Sequence, residues 1–207
     1  MPNLPTALTW LRIILIPVFV GVYYVADAWL SPVMQNWIGM SIFALAAITD
    51  WLDGYLARRW GQTSAFGAFL DPVADKLMVA VTLFLLVQSH PSSGWSGILM
   101  AVTAAVIVGR EISVSALREW MAKIGMSATV KVAMIGKLKT VMQMVALVVL
   151  IVQHEKEATA LRLYHIGEGL LVIAGILTIW SGLAYMRAAW PVLKSGRMPG
   201  DEGAPQA

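Results

Sequence analysis

Cysteine is absent from the 207 residues of this chain, and histidine occurs only three times. Without cysteine the chain forms no disulfide framework and no thiolate zinc site. The histidines, His90, His154 and His165, stand at or beyond the ends of apolar stretches and form no cluster with metal-ligand spacing. Any metal site must therefore use oxygen or imidazole ligands, which leaves the carboxylates as the main candidates.

Charge is also scarce, since 13% of the residues are charged while 58% are hydrophobic, and the mean hydropathy is +0.72. An ordinary soluble domain carries roughly twice that share of charge. The composition therefore predicts a membrane protein with one integral domain. The basic residues gather at the ends of apolar runs, where they suit anionic lipid headgroups, and the sequence contains no recognisable nucleic-acid-binding module.

Six apolar stretches are each long enough for a transmembrane helix, which takes about 20 residues. They predict an all-α integral membrane protein with six transmembrane helices, at about residues 8–27, 35–60, 72–89, 95–123, 130–153 and 163–189. At the start of the third helix, we expect Asp71 to act as the cap and Pro72 to take the first helical position. Asp71 would then be held rigidly at a helix start.

The distribution of Lys and Arg predicts the orientation of the bundle. The connections at residues 28–34 and 90–95 contain neither residue type. The opposite helix ends are flanked by Arg58, Arg59, Lys123, Lys131, Lys194 and Arg197. The positive-inside rule then places both termini in the cytoplasm. We expect one transmembrane domain over residues 1–194 and a disordered cytoplasmic tail over residues 195–207, which are rich in Gly, Pro and charge.

Four aspartates, Asp50, Asp53, Asp71 and Asp75, lie in or beside the second and third predicted helices. Even on a lenient scale an ionised Asp at the bilayer centre costs about 2.5 to 3.5 kcal/mol, so four cost on the order of 10 kcal/mol. Either they lie near the interface with water, or they converge on a cation. For one Asp alone, capping of a helix end is the simplest explanation, but it accounts poorly for all four.

The spacing of the aspartates favours a cation. On a helix Asp50 and Asp53 lie about 60° apart, and Asp71 and Asp75 about 40° apart, so each pair shares a face. Two such pairs on adjacent helices form an oxygen cage. Carboxylates without Cys or His favour Mg²⁺ first and Mn²⁺ second, and Mg²⁺ completes its shell with water and substrate phosphates. The pattern therefore predicts a substrate that carries phosphate.

Small residues next to the carboxylates leave room for such a substrate. Gly54 is offset by about 40° and Ala57 by about 20° from Asp50, so no bulky side chain shares that face. Arg58 follows at the expected membrane interface, where its guanidinium suits a phosphate group.

These residues form one pattern, Asp50, Asp53, Gly54, Ala57, Arg58, Gly67, Asp71 and Asp75. It resembles the signature of the CDP-alcohol phosphotransferase family at every motif position. The resemblance implies two divalent metal ions held by Asp50, Asp53 and Asp71, with Asp75 as the general base and a further metal ligand. It also implies a CDP-binding site formed by Asp50, Asp53, Gly54, Ala57, Arg58, Gly67 and Asp71.

Further stretches resemble the members of that family that use sn-glycerol 3-phosphate as the acceptor. These are Asn3-Leu4-Pro5, Leu8-Thr9 with Arg12, Gly109-Arg110-Glu111-Ile112, Ser115 to Glu119, Gly136 to Thr140, and Gln143-Met144. The resemblance implies phosphatidyl transfer from CDP-diacylglycerol in a bacterial inner membrane, with the active site facing the cytoplasm. It also implies a homodimer surrounded by membrane lipids. Ala133 departs from the pattern, because a hydroxyl residue is expected there.

Charged residues also interrupt the fourth and fifth predicted helices, where they are costly and usually functional. Arg110 and Arg118 lie about 80° apart around the helix and can both reach one anionic ligand near the cytoplasmic surface. We predict that the phosphate of the acceptor is bound by Arg110, Arg118, Lys137 and Lys139. Lys123 and Lys131 are expected to serve only the membrane topology.

Two alternatives remain open from the sequence. The same chemistry suits another acceptor, such as phosphatidylglycerol, serine or an inositol phosphate. A cation transporter is the alternative from another class, because carboxylates inside a membrane also mark ion pathways. Metal-dependent release of CMP separates an enzyme of the first kind from such a transporter.

Overall fold

The computed structural model of the protein describes residues 4–25, 29–60, 65–89, 94–123, 134–152 and 158–195. Six α-helices form nearly all of this described part, which contains no strand. They are α1 (Leu4–Tyr24), α2 (Pro32–Trp60), α3 (Ala65–Gln88), α4 (Trp95–Lys123), α5 (Met134–Val152) and α6 (Ala158–Ser195). Helices suit a bilayer because each pairs its backbone N–H and C=O groups internally.

Four of these helices are long and apolar enough to cross a membrane, namely α1, α2, α4 and α6. Every window of 18 residues in α3 contains Asp71, Asp75 and Lys76. The apolar part of α5, Leu138–Val152, is shorter than a typical span. The prediction of an all-helical, multi-pass membrane protein is therefore confirmed.

The largest difference from the prediction at a single helix end is the start of α3. The expected start at Pro72, with Asp71 as the cap, is wrong, because α3 begins at Ala65 and Pro72 lies inside the helix. Proline removes one backbone hydrogen bond in a helix interior. The turns before it bury Gly67 and Leu70, and this packing favours continuation of the helix. The bounds of α4 agree with the prediction, and α6 extends beyond residues 163–189 at both ends.

One hydrophobic core joins all six helices. Each helix contributes at least one side chain that is almost fully buried: Phe19, Phe43, Leu83, Ile107, Leu147 and Leu171. The outer surface is also apolar, with large exposed side chains on every helix, including Ile14, Ile48, Phe84, Val102, Val141 and Ile176. Apolar helices with little polar surface indicate that lipid surrounds the bundle.

Polar contacts between helices establish the direction in which each helix runs. At one end of the bundle the start of α1 contacts the end of α2 and the start of α3. At the other end Tyr24 donates a hydrogen bond to Gln88 at 2.8 Å, and Ser96 donates one to Glu168 at 2.6 Å. The starts of α1, α3 and α5 therefore lie at the same end as the last turns of α2, α4 and α6.

The packing of α5 against α6 depends on Gly167, and its neighbour Gly169 provides a control. A Cβ at residue 167 would lie 2.9 Å from Cγ of Leu150, whereas a Cβ at residue 169 would meet nothing within 4 Å. We expect Gly167→Ala to destabilise the protein by about 1 to 3 kcal/mol through overpacking. Gly169→Ala should be neutral or slightly stabilising, because Ala favours helix. Unfolding in detergent measures both, and equal effects would contradict this account of the α5–α6 contact.

Candidate active site

The buried guanidinium group of Arg12 connects α1 to the carboxylates near the end of α2. Its Nη1 donates a hydrogen bond to Oδ1 of Asp50 at 2.5 Å, and its Nη2 donates one to Oδ2 of Asp53. Arg12 is only 1% exposed and Asp53 only 3%, whereas the side chain of Asp50 keeps 45% of its surface accessible. Because a buried charge needs a partner, this pairing holds α1 against α2.

Thr9 lies one helical turn before Arg12 and makes the corresponding contact with α3. Its hydroxyl group donates a hydrogen bond to Oδ1 of Asp71 at 2.5 Å. Residues three positions apart lie about 60° apart around a helix, so Thr9 and Arg12 share one face of α1. This single face therefore contacts three of the four aspartates of the sequence motif.

Asp75 follows Asp71 by one turn of α3 and completes the group. It lines a small cleft together with Arg12 and Asp50, and its charge interacts with both of theirs and with that of Glu111. Asp53 interacts electrostatically with Asp50 and Asp71. The structure thus brings the four predicted aspartates together at one end of the bundle.

The donor atoms and charges of this group suit a metal ion. All are carboxylate oxygens, the ligands that Mg²⁺ and Mn²⁺ prefer, and Asp50 and Asp53 already converge on one cation, the guanidinium of Arg12. Within the described ranges, no three carboxylate or imidazole groups form a preassembled metal cluster. The residues therefore fit a hard divalent cation, which would meet Arg12 at Asp50 and Asp53, and the metal site itself stays a prediction.

The remaining motif residues surround the aspartates on α2 and α3. Gly54 is half-buried in α2, and Gly67 is buried in the first turn of α3. Ala57 and Arg58 lie in the last two turns of α2, but their side chains fall outside the described part. The predicted contacts of these residues with CDP therefore stay predictions.

A second charged cluster joins α4 to α5 beside the aspartates. Glu111 accepts a hydrogen bond from Nζ of Lys139, which is buried, and a second one from Nη1 of Arg110 at 3.1 Å. The charge of Lys139 also interacts with that of Asp75. Two cations therefore share one carboxylate, and the cluster keeps an excess of positive charge next to the aspartates.

Arg110 extends this cluster to α6. Its Nη2 donates a hydrogen bond to Oγ of Ser181 at 2.8 Å, and its guanidinium lies 5.7 Å from the ring centroid of Tyr185. Gly182 makes room for it, because a Cβ there would lie 3.2 Å from Cγ of Arg110. The end of α6 thus orients a basic side chain that the sequence alone placed only on α4.

A large open cavity of about 710 Å³ lies between α3, α4 and α6 at the same end of the bundle. Its lining includes the basic side chains of Lys76 and Arg118, the carboxylate of Glu119 and the ring of Tyr185. Tyr185 therefore connects the cavity with Arg110. A cavity of this size accommodates a small-molecule substrate.

The four residues predicted to bind the acceptor phosphate occupy different positions. Arg110 and Lys139 both pair with Glu111, whereas Arg118 lines the open cavity. Lys137 lies in the first turn of α5, but its side chain falls outside the described part. Their binding role stays a prediction.

Five further polar residues contribute to this end of the bundle although they were not predicted as site residues, namely Thr9, Arg12, Glu111, Ser181 and Tyr185. Arg12 could have been predicted as a site residue, because a charge inside an apolar run needs a partner. Ser181 and Tyr185 could not, since neutral polar residues are common in transmembrane helices.

Comparison with known proteins identifies the family of this chain. A family model described as CDP-alcohol phosphatidyltransferase matches residues 2–180. A protein of Pseudomonas fluorescens named CDP-diacylglycerol--glycerol-3-phosphate 3-phosphatidyltransferase is 49% identical over 194 residues, which cover 93% of each chain. Proteins with the same name from Salmonella paratyphi A and Shigella flexneri are 48% and 47% identical over 187 residues, which cover 90% of this chain and 94% of theirs. The chain therefore belongs to the CDP-alcohol phosphatidyltransferase family.

Proposed function

We propose that this protein transfers the phosphatidyl group of CDP-diacylglycerol to sn-glycerol 3-phosphate. The products are phosphatidylglycerophosphate and CMP, and the reaction serves phospholipid biosynthesis. The observation that carries the proposal is the agreement of relatives 47 to 49% identical over nine-tenths of the chain, all named for this reaction. The four aspartates that meet at one end of the bundle support the same chemistry.

Asp75 is the proposed general base. It lies in the cleft beside Asp50, within electrostatic range of the basic cluster on α4 and α5. Its carboxylate takes the proton of the primary hydroxyl of the acceptor, whose oxygen attacks the phosphorus bound to diacylglycerol. The bond between that phosphorus and the oxygen of CMP breaks, and CMP leaves with the electron pair. A positioned base of this kind contributes roughly 10² to 10⁴-fold to the rate.

Members of the family generally depend on a divalent metal ion. For this chain the proposed ligands are Asp50, Asp53, Asp71 and Asp75, and the proposed metal is Mg²⁺, or Mn²⁺, bound as two ions. When bound, such ions neutralise the diphosphate and the departing CMP. Gly54, Ala57, Arg58 and Gly67 flank the aspartates as the rest of the proposed CDP site, with small residues where the nucleotide approaches.

The proposed acceptor site lies next to the base. Arg110, Arg118, Lys137 and Lys139 supply the positive charge, and Arg110 and Lys139 share the carboxylate of Glu111. The open cavity beside Arg118 gives a water-soluble acceptor access from the end of the bundle. An excess of positive charge favours an anionic acceptor over a neutral one such as serine.

The membrane arrangement belongs to the same proposal. Residues 1–194 form one domain with six membrane spans in the bacterial inner membrane, both termini lie in the cytoplasm, and the chain assembles as a homodimer. The positive-inside pattern supports the orientation. Because the sequence contains no cysteine, single cysteines at Gly94 and Lys194 can test it. In intact cells an impermeant maleimide should label Gly94→Cys and leave Lys194→Cys unlabelled.

Release of CMP by the purified protein tests the reaction itself. CDP-diacylglycerol is offered with and without Mg²⁺, together with glycerol 3-phosphate, serine, an inositol phosphate or phosphatidylglycerol. We expect release only when both the metal and glycerol 3-phosphate are present. Release with another acceptor would contradict the assignment of the basic residues to glycerol 3-phosphate. If folded protein releases no CMP with any acceptor, the alternative function, a cation transporter, is favoured.

Substitution of Arg118 tests the acceptor site. Loss of one hydrogen-bonded charge costs about 1.5 to 3 kcal/mol, so Arg118→Gln should raise the KM for glycerol 3-phosphate roughly ten- to a hundredfold. Lys123→Gln is the matched control, because Lys123 lies on the same helix and pairs with exposed Glu119 at 3.0 Å. Its KM should stay within about twofold of the wild-type value. Equal KM values for both variants would remove Arg118 from the site.

A further inference from the structure

The pairing of Arg12 with two motif aspartates presents a conflict with metal binding. The guanidinium of Arg12 bridges Asp50 and Asp53, and each of these side chains is a proposed metal ligand. The pairing takes one oxygen of each carboxylate, Oδ1 of Asp50 and Oδ2 of Asp53. Arginine and a divalent ion also repel each other at contact distance. The observed pairing therefore competes with ligation of a metal by Asp50 and Asp53.

The surroundings of Arg12 explain why a cation is needed there. Asp53 is almost fully buried, and Arg12 is among the most buried large side chains of the described residues. Without any cation the carboxylates would lie uncompensated at the edge of an apolar bundle, which is costly. Yet the pairing leaves one donor unused, because Nε of Arg12 is buried with no hydrogen-bond partner in the described part of the structure. The guanidinium is thus held, but its hydrogen bonding is incomplete.

We infer that Arg12 is an internal counter-cation, which offsets one of the two negative charges of Asp50 and Asp53 while the centre lacks metal and is released from them when a divalent ion binds. The inference rests on the proposed function, because it takes Asp50 and Asp53 as metal ligands. The guanidinium of Arg12 then takes the place of the ion until the ion binds. Its release opposes metal binding, so the wild-type protein binds metal less tightly than its carboxylates alone would allow.

Thr9 provides an internal comparison on the same face of α1. It contacts Asp71 as Arg12 contacts Asp50 and Asp53, but its hydroxyl group carries no charge. Metal binding at Asp71 needs no separation of an ion pair. Removal of the Thr9 hydroxyl therefore changes a contact to a motif aspartate without removing a competing cation.

Binding of Mn²⁺ to the purified full-length protein in detergent, without substrate, tests the inference. Electron paramagnetic resonance measures the free ion. We expect Arg12→Gln to bind Mn²⁺ about tenfold more tightly than wild type, which corresponds to roughly 1.4 kcal/mol. Thr9→Val, which removes an uncharged contact to Asp71, should bind no more tightly than wild type. Arg187→Gln is the neutral control, because it removes an exposed positive charge from α6, and it should bind within about twofold of wild type. In metal-free buffer Arg12→Gln should unfold at a lower temperature, and Mn²⁺ should restore more of its stability than it adds to wild type.

Two further variants distinguish an error in the proposed metal site from an error in the proposed role of Arg12. Asp53→Asn should weaken Mn²⁺ binding strongly, and if it does not, the proposed metal site is wrong. If Asp53→Asn weakens binding while Arg12→Gln binds no more tightly than wild type, the metal site stands and the counter-cation role is overturned.

If Arg12→Gln does not fold, Arg12→Lys replaces it in the measurement of Mn²⁺ binding. It keeps the charge but lacks the fork that bridges two carboxylates, so we expect a smaller gain in affinity. Weaker binding by the Lys variant would also overturn the inference.

Discussion

Replacement of Asp75 by Asn should lower the turnover number for CMP release by roughly 10² to 10⁴-fold, the contribution of a positioned general base. The amide has nearly the shape of the carboxylate but does not accept the proton of the acceptor hydroxyl. Asp75 lines a small cleft with Asp50 and Arg12. Because asparagine has nearly the same shape, the variant keeps the packing of this cleft. The KM for glycerol 3-phosphate should change much less than the turnover number, because the acceptor is bound by the basic cluster.

The dependence on metal concentration separates a base from a ligand. If Asp75 acted only by holding a metal ion, additional Mg²⁺ would restore the rate of Asp75→Asn. If Asp75 acts as the base, the rate of Asp75→Asn stays low even at saturating Mg²⁺. Asp53→Asn is the comparison, since Asp53 is a proposed metal ligand but not a proposed base, and the activity of this variant should recover in part as the metal concentration rises. Full turnover of Asp75→Asn at saturating Mg²⁺ would rule out the proposed base.

Replacement of Glu111 by Gln should destabilise the protein by about 3 to 5 kcal/mol, the usual cost of removing one partner from a buried ion pair. Glu111 pairs with both Arg110 and buried Lys139, so its loss leaves two adjacent cations on α4 and α5 without a carboxylate partner at residue 111. Lys139→Met should cost less, because Glu111 then still pairs with Arg110. Equilibrium unfolding in mixed detergent micelles measures each change.

The double variant provides the decisive comparison. Glu111→Gln with Lys139→Met removes both charges of the pair, so its cost should be smaller than the sum of the two single costs. Glu119→Gln is the control on the same helix, because its pair with Lys123 is about 70% exposed, and it should cost about 0.5 kcal/mol or less. Additive costs in the double variant would show that the contact between Glu111 and Lys139 contributes little.

The apolar pattern predicted the number and approximate positions of the helices in the described part, because each helix includes a long apolar stretch. The bounds of α4 followed directly from the sequence. The start of α3 did not, because a local rule about proline competed with burial of Gly67 and Leu70 in the preceding turns. That burial depends on neighbouring helices, which a single sequence does not specify.

The carboxylates of the site were predictable because their spacing and cost are local properties of α2 and α3. The partners of these carboxylates were less predictable. The structure pairs Asp50 and Asp53 with Arg12, and Lys139 with Glu111, between residues that are 28 to 41 positions apart in the chain. Such pairings follow from how the helices pack. Lys139 was predicted as a phosphate ligand, but its neighbour Glu111 was not included in the site, although both charges interrupt apolar segments.

The contact of Arg12 with α2 also bears on how the protein is made. When α1 is synthesised its arginine has no partner, and an unpaired arginine inside an apolar helix opposes insertion. Asp50 and Asp53 become available only after nearly all of α2 has left the ribosome. The two helices gain most by entering the bilayer together, as a hairpin whose charges are already paired. The insertion machinery would therefore retain α1 until α2 arrives, so that assembly of the site begins before the rest of the chain exists.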